Sequence, residues 1–555
     1  MKKLFSKCRR TGSSRTPLIE RDNSSQQGYD LALDANDNHP SILNTNEEQP
    51  LEVPGQISHQ VLAEVLGVVP DTNTTLDGVW SDSDQQKSLI QKSVDQHFPK
   101  PPADLDRDLP QHLENVQNTV HSELVRLHPS LDVMGLGECL IDCYHRHTFN
   151  HLDDLLQEIC SSKSLLVLMK WVSYTYPSQN LLSHPGREEP VTKVDPLMFS
   201  EWFVKAKDKL LVNVQKEVKE QLEKILQNEQ NEDGMYTNEA FVRLYVDVIE
   251  CTEAIPKETL KISSELSHRV QEVCFRALLG FLDRYMAEQT ETLGKEVKKE
   301  KPKMWLFFKT LNTCEKLRGY VQNKGSAIQR SLLEHIVVKL DNIETLALNL
   351  LLKKRTDIAE KNLKDYFKTD NKRFLMSVLT DDFSKTQCSQ EIEKKVMDEV
   401  YELVVRIYLK HLLKSSKSRL QRCWSSDVGL TVHEDAELLH SDFTKLAPGV
   451  QQWNFVLLRV SELLECKDIE AVKLTVALMQ KESPSWRSDV ELLPKLLRWV
   501  GLTGRIVREV LDAIPGQEPR SKTRHRLLPP ENLVFKNGIT VNNREVCNTS
   551  DGYEG

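Results

Sequence analysis

The chain lacks the segments that would place it in a membrane or send it through the secretory pathway. Its apolar runs, such as residues 165–169, 304–308 and 350–352, fall far below the roughly 18 residues that span a bilayer. The first ten residues are basic, but no apolar stretch follows them as in a signal peptide. The cysteines number 11, and none of them stands in a C-x-x-C spacing. We therefore expect a soluble intracellular protein whose thiols are reduced.

Signatures of catalysis are lacking as well. The sequence contains no P-loop, no G-x-S-x-G, no H-E-x-x-H and no set of kinase motifs. Gly135-Leu-Gly137 begins a dinucleotide-binding pattern, but the third glycine and a preceding strand are missing. The acid pairs Asp153-Asp154 and Asp381-Asp382 are typical of solvated helix ends. These absences predict a protein that is not an enzyme and holds no cofactor.

One cluster invites a metal-site interpretation, because Cys139, Cys143, His147 and His151 follow one another at intervals of four, with His145 nearby. On a single helix this spacing makes a stripe of about 18 Å. One zinc ion with ligands at about 2.0–2.3 Å cannot gather all four, although one pair could form half of a site with ligands from elsewhere. We expect core cysteines, surface or interfacial histidines, and no metal.

Helical periodicity is what the sequence does contain, and its longest instance is residues 195–230. Asp195 and Pro196 read as an N-cap followed by proline at the first helical position. The apolar positions step by about 3.7 residues, the period of a straight helix and not the 3.5 of a left-handed coiled coil. The predicted helix would be on the order of 50 Å long. The apolar positions are Phe199, Phe203, Ala206, Leu210, Val214, Val218, Leu222 and Ile225.

The same design recurs, with a second long helix predicted to start at Pro256 and a third over residues 392–412. The pattern predicts an all-α fold, an elongated rod of consecutive antiparallel helical bundles with disordered N-terminal and C-terminal segments. Within the polar N-terminal region, residues 57–66 fit a short amphipathic helix. In the tail, Asn537-Gly538 is typical of a β-hairpin turn, and a disordered segment is the alternative. The predicted segments are an N-terminal region 1–107, bundles 108–235, 236–355, 356–428 and 429–515, and a basic tail 516–555.

The basic N-terminus is the first candidate functional site. Near an anionic leaflet each Lys or Arg contributes about 1 kcal/mol, and apolar side chains can insert at the interface. Cys8 stands where palmitoylation would add the second signal that stable anchoring requires. A solvated tail is the alternative; a nucleic-acid partner is not expected, because the rest of the chain is acidic. The candidate membrane-binding residues are Lys2, Lys3, Leu4, Phe5, Lys7, Arg9, Arg10 and Arg15.

A second basic run joins two predicted helices. It is interpreted either as a solvated connector or as a contact for phospholipid or an acidic partner. Its lysines are Lys295, Lys298, Lys299, Lys301 and Lys303.

Two aromatic and proline motifs carry a family resemblance, Trp171-Val-Ser-Tyr-Thr-Tyr-Pro177 and Leu181-Leu-Ser-His-Pro185. Together with the long helices they resemble the exocyst complex component 3 (Sec-six) family over roughly residues 108–515, closest to its exocyst component 3-like, M-Sec branch. The resemblance implies vesicle tethering at the plasma membrane without catalysis. It also implies exocyst subunits, SNARE proteins or Rho/Ral-type small GTPases as partners, and a cytoplasmic protein peripheral to that membrane.

The chain departs from the core exocyst subunit, since residues 1–105 lack the heptads of an N-terminal coiled coil. We therefore consider two alternative functions, which belong to different classes. The first is a non-enzymatic tethering or adaptor protein of exocytosis. The alternative is a cytosolic GTPase-effector scaffold for actin-based membrane protrusions that acts independently of the exocyst.

Overall fold

The computed structural model describes residues 59–68, 82–176, 195–230, 237–324, 328–368, 388–482 and 492–513. These residues form seventeen α-helices and one π-helical turn, Trp171–Thr175, and contain no strand. The predicted all-α fold of consecutive helical bundles is confirmed. The Asn537-Gly538 hairpin and the predicted disorder of the C-terminal segment lie outside the described residues. Of the N-terminal region predicted to be mostly disordered, only residues 59–68 and 82–107 are described.

The helices of the first half are α1 His59–Leu66, α2 Asp82–His97, α3 Leu105–Val133, α4 Gly137–Glu158, α5 Ser162–Lys170, α6 Pro196–Gln230, α7 Asn238–Leu260 and α8 Ser264–Lys298. Those of the second half are α9 Trp305–Asn323, α10 Arg330–Tyr366, α11 Gln390–Lys414, α12 Lys417–Cys423, α13 Val428–Leu446, α14 Phe455–Glu465, α15 Ile469–Glu482, α16 Leu492–Val500 and α17 Gly504–Asp512.

The long helix α6 begins where the sequence predicted. Asp195 caps it, because its Oδ1 accepts the N–H of Leu197 at 2.9 Å. The side chains that α6 buries recur every four residues, so the contact line winds around the helix by about 40° per step. Phe199, Phe203 and Ile225, predicted to lie on the buried face, are only half-buried. The buried positions are Trp202, Ala206, Leu210, Val214, Val218, Leu222 and Leu226.

The predicted start of the second long helix at Pro256 is wrong. Pro256 lies in the last turns of α7, and the next long helix, α8, begins at Ser264. Ser263 caps α8 by accepting the N–H of Leu266. A serine hydroxyl can satisfy a free N–H at a helix start, which proline cannot do, so the cap residue and not the proline fixes this boundary.

The N-terminal region contains more helix than the sequence predicted. Helix α1 matches the expected amphipathic segment, and its Leu62 and Leu66 are fully buried in the core. Helix α2, by contrast, falls in a stretch predicted to be mostly disordered. It docks through Ile90 and Val94, which are fully buried, and through the half-buried Leu89. Because this polar segment has few apolar positions, its helical periodicity is weak. The helix is stabilised by its tertiary packing.

Two hydrophobic cores meet partway along the helices α7 to α10. Helix α10 shows this best, because Leu340 and Ile343 belong to the first core and Ala347 and Leu351 to the second. An unbroken helix of 37 residues therefore passes from one core into the next. The predicted bundle boundaries stay predictions, and α10 runs without a break through the one after residue 355.

The second core also contains a buried carboxylate. Asp435 on α13 accepts hydrogen bonds from Tyr366 of α10 at 2.5 Å and from Tyr408 of α11 at 2.6 Å. All three side chains are at most 2% exposed. A buried carboxylate needs such donors, so this contact ties three helices together with defined geometry.

Candidate partner-binding site

The basic run predicted from the sequence forms the turn between α8 and α9, called here the basic turn and defined as residues 295–303. Helix α8 ends at Lys298, and Lys299 adopts an extended conformation with φ −71° and ψ 148°. Pro302 follows, as is common just after a helix end. Lys295 and Lys298 lie in the last turn of α8, where cations stabilise the helix dipole.

A buried glutamate holds the backbone of the basic turn. The side chain of Glu296 is only 6% exposed and forms an ion pair with Lys299. Its Oε2 also accepts the backbone N–H of Lys303 at 3.0 Å. From the other side, the buried Lys354 of α10 donates from Nζ to the carbonyl oxygen of Lys299 at 2.5 Å. The turn is thus fixed by two buried charged groups.

The five lysines of the basic turn are all exposed, but they differ in their contacts. Lys295 pairs with Glu291 at 2.5 Å, and Lys299 pairs with Glu296. Lys298 and Lys301 form no ion pair with any carboxylate of the described residues. These two ammonium groups are therefore the most available to an anionic partner.

The candidate membrane-binding residues cannot be placed in the same way. Lys2, Lys3, Leu4, Phe5, Lys7, Cys8, Arg9, Arg10 and Arg15 lie outside the described residues. Membrane contact by the N-terminus stays a prediction.

The histidines of α4 form a packed cluster with neighbouring helices. His151 and His112 of α3 approach each other at 2.7 Å between their Nε2 atoms. His147 contacts Asp95 at 3.0 Å through Nδ1, and the ring of Phe98 lies against both His147 and His151. No group of three or more His, Cys, Asp or Glu side chains in the described part of the chain is arranged to hold a metal ion. His151 is buried against α3, contrary to the expected surface position, and Cys139 and Cys143, expected in the core, are only half-buried.

Burial explains the ionisation of this cluster. Desolvation, followed by the neighbouring His112 and His147, lowers the pKa of His151 to about 4. Burial also lowers the pKa of His112. Likewise, burial is the main reason that the pKa of Cys143 rises to about 12, with Cys139 adding to it. His112, His151 and Cys143 are therefore neutral near pH 7 and act as packing and hydrogen-bonding side chains.

One basic surface was missed by the sequence patterns. Residues 403–426 contain six Lys or Arg and no Asp or Glu. Counting charge in windows along the helical region would have found it. We call four of these residues the C-terminal basic surface: Lys414, Lys417, Arg419 and Arg422.

No membrane-spanning helix accompanies these surfaces in the described residues. None of the described helices is long and apolar enough to cross a bilayer. A cavity of about 370 Å³ lies beside α11, and two of its charged lining residues connect elements of the fold. Asp398 accepts the N–H of Gln451 at 2.6 Å, and Lys395 pairs with Glu344 of α10 at 2.5 Å.

Comparison with known proteins adds two findings. Residues 93–361 match the family model of the exocyst complex component Sec6, a range that includes the basic turn but not the C-terminal basic surface. The crystal structure of M-Sec is similar, with a TM-score of 0.54, 16% sequence identity, and coverage of 83% of this chain and 84% of that chain. At this identity the likeness to M-Sec shows the fold. The family match confirms the resemblance predicted from the sequence, and the likeness to M-Sec confirms the predicted fold.

Proposed function

We propose, on the premise that this chain carries a Sec6 exocyst-component region over residues 93–361, that it is a non-enzymatic tethering or adaptor protein of exocytosis. The match to that family is the observation that carries the proposal. The fold agrees with it, since long helices that run from one core into the next offer extended surfaces for partners. Exocyst subunits are the first class of partner that the family suggests.

The finer parts of the proposal concern membranes and further partners. The basic N-terminus contacts the anionic cytoplasmic leaflet, and acylation of Cys8 strengthens that contact. The protein is then cytoplasmic and peripheral at the plasma membrane. SNARE proteins and Rho/Ral-type small GTPases are proposed as further partners because of the family resemblance. The charge of residues 1–15, six Lys or Arg without an acid, supports the membrane contact.

The basic turn is proposed as a contact for an acidic partner. Lys298 and Lys301 are exposed, while Glu296 and Lys354 fix the backbone that presents them. A rigid backbone lowers the entropy cost of binding. Charged residues at such a surface mainly set partner choice and association rate.

Affinity capture from cells that express the tagged full chain tests this function. We expect exocyst subunits to be captured, and the variant Lys298→Glu/Lys301→Glu to capture less of them. The matched control Lys216→Glu/Lys219→Glu changes the same number of exposed lysines on α6 and should capture wild-type amounts. The proposal fails if the full chain captures no exocyst subunit. If both variants capture wild-type amounts, the basic turn is not the contact.

The runner-up function is a GTPase-effector scaffold for membrane protrusions, independent of the exocyst. The absence of coiled-coil heptads in residues 1–105 favours it. It predicts that an active small GTPase captures the chain while exocyst subunits do not, and that deletion of residues 1–20 leaves localisation unchanged.

A further inference from the structure

The C-terminal basic surface lies in the stretch of the described chain where acids are missing. Between Glu402 and Asp427 the sequence has six Lys or Arg and no carboxylate side chain. This stretch forms the end of α11, a short turn and the whole of α12. It lies outside the region that matches the Sec6 model.

Two of the six cations are engaged within the fold and four are not. Arg406 pairs with Glu402 at 2.5 Å, and Lys410 pairs with Glu360 of α10. The remaining four form no ion pair with a carboxylate of the described residues. The structure gives Arg422 only a contact from Nε to the carbonyl oxygen of Ser418 at 3.3 Å. Lys414, Arg419 and Arg422 are exposed and Lys417 is half-exposed.

Helix α12, which carries three of these four cations, is anchored to the fold. Ser416 caps α12 by accepting the N–H of Arg419 at 3.3 Å, and Leu420 is fully buried beneath it. After α12, the ring of Trp424 packs against Phe367, the residue that follows α10, with 4.9 Å between ring centroids. The cations therefore project from a fixed segment of the fold.

A neighbouring helix brings a further cation. The indole Nε1 of Trp499 on α16 donates to the carbonyl oxygen of Ser415 at 2.7 Å. Ser415 lies in the turn between α11 and α12, so α16 packs against the segment that carries the basic surface. Arg498, the residue before Trp499, is exposed and forms no ion pair with a described carboxylate.

The surroundings of these cations indicate what they bind. Specific protein interfaces have a core of apolar and aromatic side chains and are depleted of lysine. Neither residues 403–426 nor residues 492–513 contain a large hydrophobic side chain among those exposed in the described chain. Exposed cations without an apolar core suit a diffuse anionic surface, to which each Lys or Arg adds attraction independently.

We propose that the C-terminal basic surface, Lys414, Lys417, Arg419 and Arg422, docks the protein on an anionic phospholipid membrane. This contact is separate from the one proposed for the N-terminus and does not depend on binding to the exocyst. If both contacts exist, one chain meets lipid at two places along its sequence.

Vesicle co-sedimentation of the full chain tests the proposal. All variants carry Lys2, Lys3, Lys7, Arg9 and Arg10 replaced by Gln, so that the N-terminus cannot mask the result. The test variant adds Lys414→Gln, Lys417→Gln, Arg419→Gln and Arg422→Gln. The matched control adds Lys163→Gln, Lys216→Gln, Lys219→Gln and Lys224→Gln, which remove the same charge from exposed positions elsewhere.

We expect the control to bind phosphatidylcholine vesicles that contain phosphatidylserine, and to bind pure phosphatidylcholine far less. The test variant should partition roughly 100- to 1,000-fold more weakly, and added salt should weaken the control's binding. Equal melting temperatures of the two variants would show that both are folded.

Equal partitioning of test variant and control overturns the proposal. It is also overturned if the control binds both kinds of vesicle equally. A test variant that keeps vesicle binding but no longer captures exocyst subunits would assign the surface to an acidic protein instead, and would likewise overturn the membrane proposal.

Discussion

A buried ion pair at the junction of the two cores offers a sharp test of how the helices are held together. Lys309 of α9 and Glu229 near the end of α6 approach at 2.5 Å, with side chains 4% and 17% exposed. The Lys309 ammonium also lies 5.8 Å from the centroid of the Trp305 ring. Replacing Lys309 by Met keeps most of the volume but leaves the Glu229 carboxylate in a largely desolvated site without this cation.

Breaking one partner of a buried pair costs about 3–5 kcal/mol, and the partial exposure of Glu229 favours the lower end. A loss of about 3 kcal/mol corresponds to somewhat more than a 100-fold change in an opening equilibrium. Hydrogen exchange of α9 amides reports that equilibrium directly. We therefore expect Lys309→Met to raise exchange in α9 by on the order of 100-fold.

Two comparison variants make the reasoning refutable. Lys309→Met combined with Glu229→Leu removes both charges and should restore most of the protection. Lys295→Met removes an exposed cation paired with Glu291, both 69% exposed, and should change exchange by less than about threefold. If Lys309→Met exchanges like Lys295→Met, the pair does not stabilise the junction and the reasoning is wrong.

Three further predictions concern single side chains. Asp435→Leu leaves two buried phenols without their acceptor, so the free energy of unfolding of the second core should fall by about 2–4 kcal/mol. Urea denaturation measures this change, and wild-type stability would contradict the prediction. Glu296→Ala removes the acceptor of the Lys303 N–H, so that amide should exchange about 10- to 100-fold faster, whereas Glu291→Ala should not change it. The pKa of His151 is lowered to about 4 from its ordinary 6.5, so between these values the unfolded chain binds protons that the folded chain does not. The melting temperature should therefore fall as pH drops from 7 to 5, and His151→Leu should flatten that dependence.

The sequence predicted the parts of the fold that depend on local chemistry. Asp195 followed by Pro196 marked the start of α6, because capping needs only a side-chain oxygen near the first N–H groups. The start of α8 was misplaced because Pro256 is tolerated near the end of α7, while Ser263 supplies the actual cap. Local signals locate helices well, but two competing signals within a few residues need the tertiary structure to decide between them.

The candidate sites were predicted less completely. The five lysines of residues 295–303 are visible in the sequence. The sequence does not show that Lys299 pairs with Glu296 while Lys298 has no such partner, because this depends on which side chains are buried. The burial of the His151 side chain depends on α3, which supplies His112 from a distant part of the chain. Long-range contacts of this kind leave no local pattern.

Vesicle tethering itself is the most direct test of the central claim. In cells depleted of this protein, total-internal-reflection imaging can measure how long secretory vesicles stay at the plasma membrane before they fuse or leave. We predict fewer and shorter tethering events, restored by the full chain and restored less by the Lys298→Glu/Lys301→Glu variant. An unchanged number and duration of tethering events after depletion would contradict a role in exocytic tethering.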